Sequence, residues 1–272
     1  MSCADNTPGA DTPHSKTGLY FDTVITITLY GDQAKAEKRL DNVFDMAKRY
    51  EGLLSDKKDG SDISRINDAR GAWTTVDKDT VEAIEYAVKY SESSGGIFDL
   101  TVGALSDLWD FKNNTGTIPD DSAIKEALSH VDYRNVEIDG DKVRLKDPQA
   151  KIDLGGIAKG FIADKMKARL KKMGAESGII NLGGNVLLIG SRPDGEKYTV
   201  GIQRPFSDDG TALFTVKARD VSVVTSGTYQ RYFKKDGRIY HHILDLSNGY
   251  PYDNGLDSVT IIKKKSTGAD AL

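Results

Sequence analysis

Apolar and polar residues alternate from Val24 to Leu29 (VITITL), the two-residue period of a β-strand built from the branched side chains that strands favour. From Ala34 to Leu54 the period lengthens. Leu40, Val43, Phe44 and Ala47 recur at helical spacing. A second helix is predicted over Val76–Ser93, capped by Asp77, with Val81, Ile84, Ala87 and Val88 along one face. A shorter helix follows over Ser122–Leu128, and a hairpin over Val136–Leu145 turns at Asp139-Gly140. A further helix runs from about Ile157 to Met173 and is closed by Gly174. Strands are then predicted at Gly178–Ile189, Tyr198–Gln203, Leu213–Lys217, Val221–Thr225, Ile239–Asp245 and Ser258–Lys264. Helices concentrate early and antiparallel-looking strands late, so the expected class is α+β. No internal repeat is visible.

Composition narrows the picture. The 272 residues suffice for one large domain or two intimately joined lobes, and 38% hydrophobic with 29% charged residues is a globular profile. Lys+Arg 37 against Asp+Glu 41, a net charge of −4, gives no basic footprint for nucleic acid. Any phosphate site must therefore be built locally, from backbone amides or a metal. No run of ~18 apolar residues is long enough to cross a membrane. Cys3 is the single cysteine, which excludes an internal disulfide. Followed by the polar stretch Ala4 to Lys16, it looks either like the acylated residue of a bacterial lipoprotein tether or like a cysteine in a disordered tail. Residues 1–17 are expected to be a disordered tether, and 18–272 the folded domain.

The densest chemical signal is Lys151 to Asp164, KIDLGGIAKGFIAD. A strand end delivers Asp153, Gly155 and Gly156 permit close backbone approach, and a helix then begins with amides suited to phosphate. Gly155 and Gly160 have the P-loop separation, but Phe161 stands where that motif needs lysine. A tight turn before a helix explains the same glycines. Asn181-Leu-Gly-Gly-Asn185 reads as a bulge, a close packing point or a ligand-facing surface. On a strand, His241 and His242 point to opposite faces, with His242 and Leu244 sharing one. A strand-end histidine is suited to act as a general base. Phe98-Asp99, after Gly95-Gly96-Ile97, either set an aromatic ring and an acceptor beside a heterocycle or form a buried, capped loop. Asp270 is either a dipole-complementing acid at a helix start or a carboxylate ligand for a hard cation.

Taken in order, these segments resemble the ApbE family, the FAD:protein FMN transferases, from about residue 18 to the end. The resemblance is carried by Leu54-Ser55 with Ser61-Asp-Ile-Ser-Arg-Ile-Asn67, and by Phe98-Asp-Leu-Thr-Val-Gly103 with Leu108-Trp109. It continues through Ile152-Asp-Leu-Gly-Gly-Ile-Ala-Lys-Gly160, Asn181–Asn185 and Thr225-Ser-Gly227. It closes with His242-Ile-Leu-Asp245, Gly249, Pro251 and Ala269-Asp-Ala271.

The resemblance implies a two-lobed fold that binds FAD between the lobes and moves its FMN half onto a threonine of an acceptor flavoprotein. It implies Mg²⁺ held by the Ala158 carbonyl and Asp270, and His242 as the base that activates the threonine. Ile97, Phe98 and Asp99 would line the adenosine end, and Phe21 and Lys57 the flavin. Asp153, Gly155, Lys159, Phe161 and Leu244 would complete the FAD contacts. An FAD pyrophosphatase and a non-catalytic FAD-binding lipoprotein are the alternatives. An acylated Cys3 would put the chain on the extracytoplasmic face of a bacterial membrane, its only link to a membrane.

The sequence departs from the family pattern at Phe21-Asp22-Thr23 (Met-Gly-Thr in the family), at Lys57 (commonly Tyr) and at Leu246 (Pro). Family members also continue past the Ala-Asp-Ala stretch, with a metal-binding Thr or Ser four residues after the Asp. The sequence therefore leads one to expect a truncated domain, weak Mg²⁺ binding, slow or absent transfer and fraying after about Lys265.

Overall fold

The computed structural model describes residues 11–113, 116–207 and 210–272; Cys3 lies outside them. The VITITL alternation forms a strand at Thr23–Tyr30 (β2), paired with a preceding strand, Pro13–Tyr20 (β1). Ile25, Ile27 and Leu29 are fully buried, while the Val24, Thr26 and Thr28 side chains lie on the other face. The helical pattern that follows forms Gln33–Leu54 (α1), and Asp32 caps it by accepting from the Lys35 amide at 3.0 Å.

Asp62–Asp68 (α2), Thr74–Thr75 (β3), Lys78–Ser93 (α3), Gly103–Trp109 (α4) and Asp121–Ser129 (α5) lead to the hairpin of Val136–Asp139 (β4) and Lys142–Leu145 (β5). Ala158–Lys172 (α6) then introduces Gly178–Leu182 (β6), Asn185–Ile189 (β7), Tyr198–Gln203 (β8), Ala212–Ala218 (β9) and Ser222–Gly227 (β10). Tyr232–Lys235 (β11), Arg238–His241 (β12), Ser258–Lys263 (β13) and Ser266–Asp270 (α7) complete the chain.

The main sheet has the order β1-β2-β6-β7-β10-β13, with every neighbouring pair antiparallel. One face packs on α1 and α6 through Leu40, Val43, Phe44, Phe161, Ile162 and Met166. The other is sealed by the β8–β9 hairpin, whose Tyr198, Ile202 and Ala218 meet Leu188 and Val223. A separate aromatic core joins α4, α5 and the β11–β12 hairpin through Leu105, Trp109, Ile124 and Phe233. The Trp109 indole N–H donates to the Gly249 carbonyl at 2.9 Å and ties this lobe to the loop after β12. The α+β expectation holds.

Several expectations change. Residues 13–17, assigned to the tether, are part of β1. Their polarity hid them: Ser15 pairs with Thr28 and Thr17 with Thr26 hydroxyl to hydroxyl, and the ladder with β2 supplies the order. Gly178–Ile189 is not one strand but a hairpin turning at Gly183 and Gly184, both at positive φ. The strand predicted to Asp245 ends at His241.

The C-terminal segment does not fray at Lys265. Five residues are too few to nucleate a helix alone, but tertiary contacts supply what the segment lacks. Asp164 of α6 accepts from the Ser266 and Thr267 amides at 3.1 and 3.0 Å and from the Thr267 hydroxyl at 2.7 Å. Ser266 Oγ also donates to Asn185 Oδ1 at 2.7 Å, fastening α7 to β7.

Candidate active site

Two loops are stitched together where α6 begins. The Gly103 amide donates to the Lys151 carbonyl and the Asp153 amide to the Leu100 carbonyl, both at 2.9 Å. A side chain at Gly103 would meet the Lys151 carbonyl oxygen at 2.7 Å, so the glycine is needed for the approach. Asp153 accepts from the Gly155 amide at 2.7 Å and from the Ser106 hydroxyl at 2.9 Å. The Phe98 ring edge lies 3.0 Å from where a Cβ of Gly156 would stand, and the neighbouring Ile97 is 74% exposed.

Ile157, the N-cap of α6, offers no capping side chain. Asp270 takes that part: its Oδ2 accepts from the Gly160 amide at 2.8 Å, and Oδ1 lies 3.7 Å from Lys159 Nζ. With Asp164 capping α7, each helix caps the other. Lys159 Nζ also donates to the Gly155 carbonyl at 3.0 Å. The Ile157 and Ala158 amides turn back to Leu154, which leaves the Gly156 and Lys159 N–H groups without an acceptor among the described residues. Two free amides and a lysine at a helix N-terminus suit an anion.

Beside this turn lies a charged network. Asp107 accepts from both Lys57 and Lys151, and Lys57 also bonds Asp56 at 2.8 Å. Burial opposes the charge on Lys57, but its bonds to Asp107 and Asp56 outweigh it and hold the ammonium above its ordinary pKa. Burial, and then the nearby charge of Asp153, raises the Asp56 carboxyl. Phe21 and Asp22 form the β1–β2 turn, both at φ 55°. Non-glycine residues rarely take that conformation. The Phe21 amide donates to Glu51 Oε1 at 2.8 Å, and Asp22 pairs with Lys112 at 2.8 Å, so both turn residues are tied down.

The histidine pair is separated by its hydrogen bonds. A carbonyl only accepts, so each ring nitrogen facing one must carry the proton. His241 is buried; its Nε2–H donates to the Tyr252 carbonyl at 3.0 Å, and its Nδ1 accepts from the Ile243 amide at 3.3 Å. Both nitrogens are used. His242 donates from Nδ1 to the Arg231 carbonyl at 3.3 Å, which leaves Nε2 with a free lone pair. Burial, followed by the positive charge of Arg231, lowers its pKa to about 4, and the charge of Lys159 acts in the same sense. His242 is thus a neutral imidazole at pH 7.

The sequence pattern of the ApbE family matches residues 21–272. The chain belongs to that family. It is 34% identical to the FAD:protein FMN transferase of Treponema pallidum over 277 residues, covering 95% of this chain and 76% of the relative. It is 37% identical to an FAD:protein FMN transferase of Klebsiella pneumoniae over 261 residues, covering 94% and 79%. The ApbE protein of Thermotoga maritima superposes with a TM-score of 0.88 at 33% identity, over 96% of this chain and 84% of that one. The flavin transferase ApbE of Vibrio cholerae superposes at 0.84 with 25% identity, over 95% and 84%.

Set against the residues expected from the ApbE resemblance, the structure gathers Phe98, Asp153, Gly155, Ala158, Lys159 and Asp270 around one turn, with His242 and Lys57 alongside. Others go elsewhere. The Phe161 ring is in the core, edge-on to Tyr50, because the helical turn after Gly160 points it inward. Asp99 takes the capping option: its carboxylate accepts from the Thr101 amide and hydroxyl and the Tyr133 amide, so it is not a free acceptor. Leu244 packs against the Trp109 cluster; with β12 ending at His241, strand alternation no longer sets its direction.

Cavities of about 410 and 350 Å³ are lined by residues between 237 and 257, with Phe206 and Thr228 on the second, and by none of the α6 turn. Ser106, Asp107, Asp164 and Arg231 were not expected at the site. Only Arg231 had a readable signal, its place at the start of a strand facing the histidines.

Proposed function

We propose that this ApbE-family chain transfers the FMN half of FAD to a threonine hydroxyl of an acceptor flavoprotein, releasing AMP. The observation that carries the reading is the free Nε2 of His242, a ring within reach of the charge of Lys159 at the start of α6 and next to a histidine whose nitrogens are both used. The threonine oxygen forms a bond to the FMN-side phosphorus, and the bond from that phosphorus to the AMP oxygen breaks with its electron pair leaving on AMP. The threonine proton goes to His242 Nε2, while the Arg231 carbonyl keeps the ring in the tautomer that can accept it.

The Gly156 and Lys159 amides and the Lys159 ammonium hold the pyrophosphate. Phe98 over Gly156, with exposed Ile97, offers an apolar platform for the adenine, while Asp99 shapes that loop from within. Phe21 and Lys57 stand at the flavin end. Asp270 and the Ala158 carbonyl fit a hard cation that keeps waters and takes phosphate oxygens, since Mg²⁺ sites commonly use only one or two carboxylates. Among the described residues no group of three or more His, Cys, Asp or Glu is placed to hold a metal, and waters and phosphate oxygens would fill the rest of the shell. When bound, Mg²⁺ would neutralise charge that develops on the phosphate oxygens. A lipid attachment at Cys3, on the outer face of a bacterial membrane, is proposed from the residue pattern at the N-terminus.

Mass spectrometry of a candidate acceptor flavoprotein mixed with this chain, FAD and Mg²⁺ tests the reading. The expected result is FMN added at a threonine, with AMP in equal amount, and loss of both in EDTA. Free FMN and AMP with an unmodified acceptor would show a pyrophosphatase instead. Intact FAD would show a binding protein, and transfer at full rate in EDTA would remove the metal.

A further inference from the structure

Arg231 is the one residue next to the base that the proposed mechanism uses only through its main chain. β11 and β12 pair with Tyr232 opposite His241, and the ladder runs one step further, where the His242 amide donates to the Arg231 carbonyl at 3.1 Å. Residues directly opposite in an antiparallel pair project on the same face, so the Arg231 and His242 side chains leave the backbone together, and the guanidinium charge acts on the imidazole. Arg231 is exposed, and its guanidinium has no hydrogen bond or ion pair among the described residues.

Most other cations near the site have partners of their own. Lys57 and Lys151 hold Asp107 and Lys165 holds Glu82, while Lys159, assigned above to the pyrophosphate, bonds the Gly155 carbonyl and lies 3.7 Å from Asp270. Asp153 and Asp270 at the α6 turn, with Asp56 near Asp153, offset part of the positive charge that Lys159 brings there. An uncompensated guanidinium beside a neutral histidine serves no internal partner. It is suited to an anion that arrives with substrate, and its planar fork matches phosphoryl oxygens.

We infer that Arg231 is a catalytic residue that grips the non-bridging oxygens of the phosphoryl group in transit between AMP and the threonine. The inference rests on the transfer reading above. The guanidinium donates hydrogen bonds to oxygens that gain charge as the bond to AMP loosens, so its hold strengthens in the transition state. That placement predicts an effect on turnover rather than on ground-state binding.

The test compares Arg231→Ala and Arg231→Lys with the parent in FMN transfer from FAD to the acceptor flavoprotein. FAD affinity is measured separately by flavin fluorescence with Mg²⁺. Main-chain contacts to His242 survive either substitution, and circular dichroism melts check the fold. Arg231→Ala should lower kcat by about 10²–10³-fold, the loss typical of one transition-state donor, with FAD affinity within a few-fold. Arg231→Lys should recover part of the rate, and added guanidinium chloride at millimolar concentration should rescue Arg231→Ala but not the parent. A kcat within a few-fold of the parent, or a loss confined to the KM for the acceptor, would overturn the assignment. So would a loss that guanidinium does not rescue. A parent that transfers no FMN would remove the transfer reading itself, and this role with it.

Discussion

Gly160→Ala tests whether the mutual capping of α6 and α7 builds the site. In an unhindered helix the change stabilises, because alanine exceeds glycine in helix propensity by about 1 kcal/mol. Here the new Cβ would lie 2.4 Å from the Ser266 carbonyl oxygen and 2.8 Å from Asp270 Cβ. Ordinary contact begins at 3.4 Å, so the α7 backbone would have to retreat by about 1 Å (3.4 less 2.4). The Gly160 amide to Asp270 bond, now 2.8 Å, would stretch to about 3.8 Å and be lost. Overpacking of this kind costs ~1–3 kcal/mol, and the lost bond adds ~1 kcal/mol, which together exceed the propensity gain. The variant should therefore unfold at lower urea, by a net ~1–3 kcal/mol from these terms. It should also need more Mg²⁺ for half-maximal transfer, because Asp270 moves with α7. Urea denaturation followed by circular dichroism, with an Mg²⁺ titration of transfer, measures both. A variant stabilised by ~1 kcal/mol with an unchanged Mg²⁺ requirement would refute the coupling and leave only helix propensity.

The histidines should separate cleanly. His242→Ala is expected to cut transfer by at least ~10²-fold with stability nearly unchanged, whereas His241→Ala should destabilise by ~1–3 kcal/mol through the stranded Tyr252 carbonyl and Ile243 amide. Thermal melts and transfer rates on both variants decide, and equal activity losses in two well-folded proteins would reject the assignment. The folded pKa of His242, about 4, lies below its ordinary 6.5, so the unfolded chain binds more protons between these values. Its contribution to stability should be complete above pH 6.5 and fall away as pH drops through 4, and kcat/KM should keep an unprotonated base down to about the same value. A pH series on the parent and on His242→Ala checks both, and an acid limb that survives in the variant's stability curve unchanged would point to another group.

Sequence periodicity was enough for α1, α3, α6 and the strands β8, β9, β10 and β13. It reports which side chains are buried, and burial in a sheet or on a helix repeats at fixed intervals. The ordered motifs also carried the family, the turn at Asp153–Gly156 and the candidacy of His242 and Asp270. Tertiary structure decided the rest. Identical neighbours in sequence, His241 and His242, differ in what their rings meet: the Tyr252 carbonyl and the Ile243 amide for one, the Arg231 carbonyl alone for the other. Phe161 entered the core because the helix turned it there, although its place in the motif suggested a ligand contact. β1 is polar enough to pass for a tail until β2 lies beside it. Gly160 and Asp270 are 110 residues apart, and the bond between them makes a cap for α6 and helps a five-residue helix persist. No local pattern encodes such a pair. Its strength depends on two chain segments being held within hydrogen-bond distance, which only the assembled core achieves.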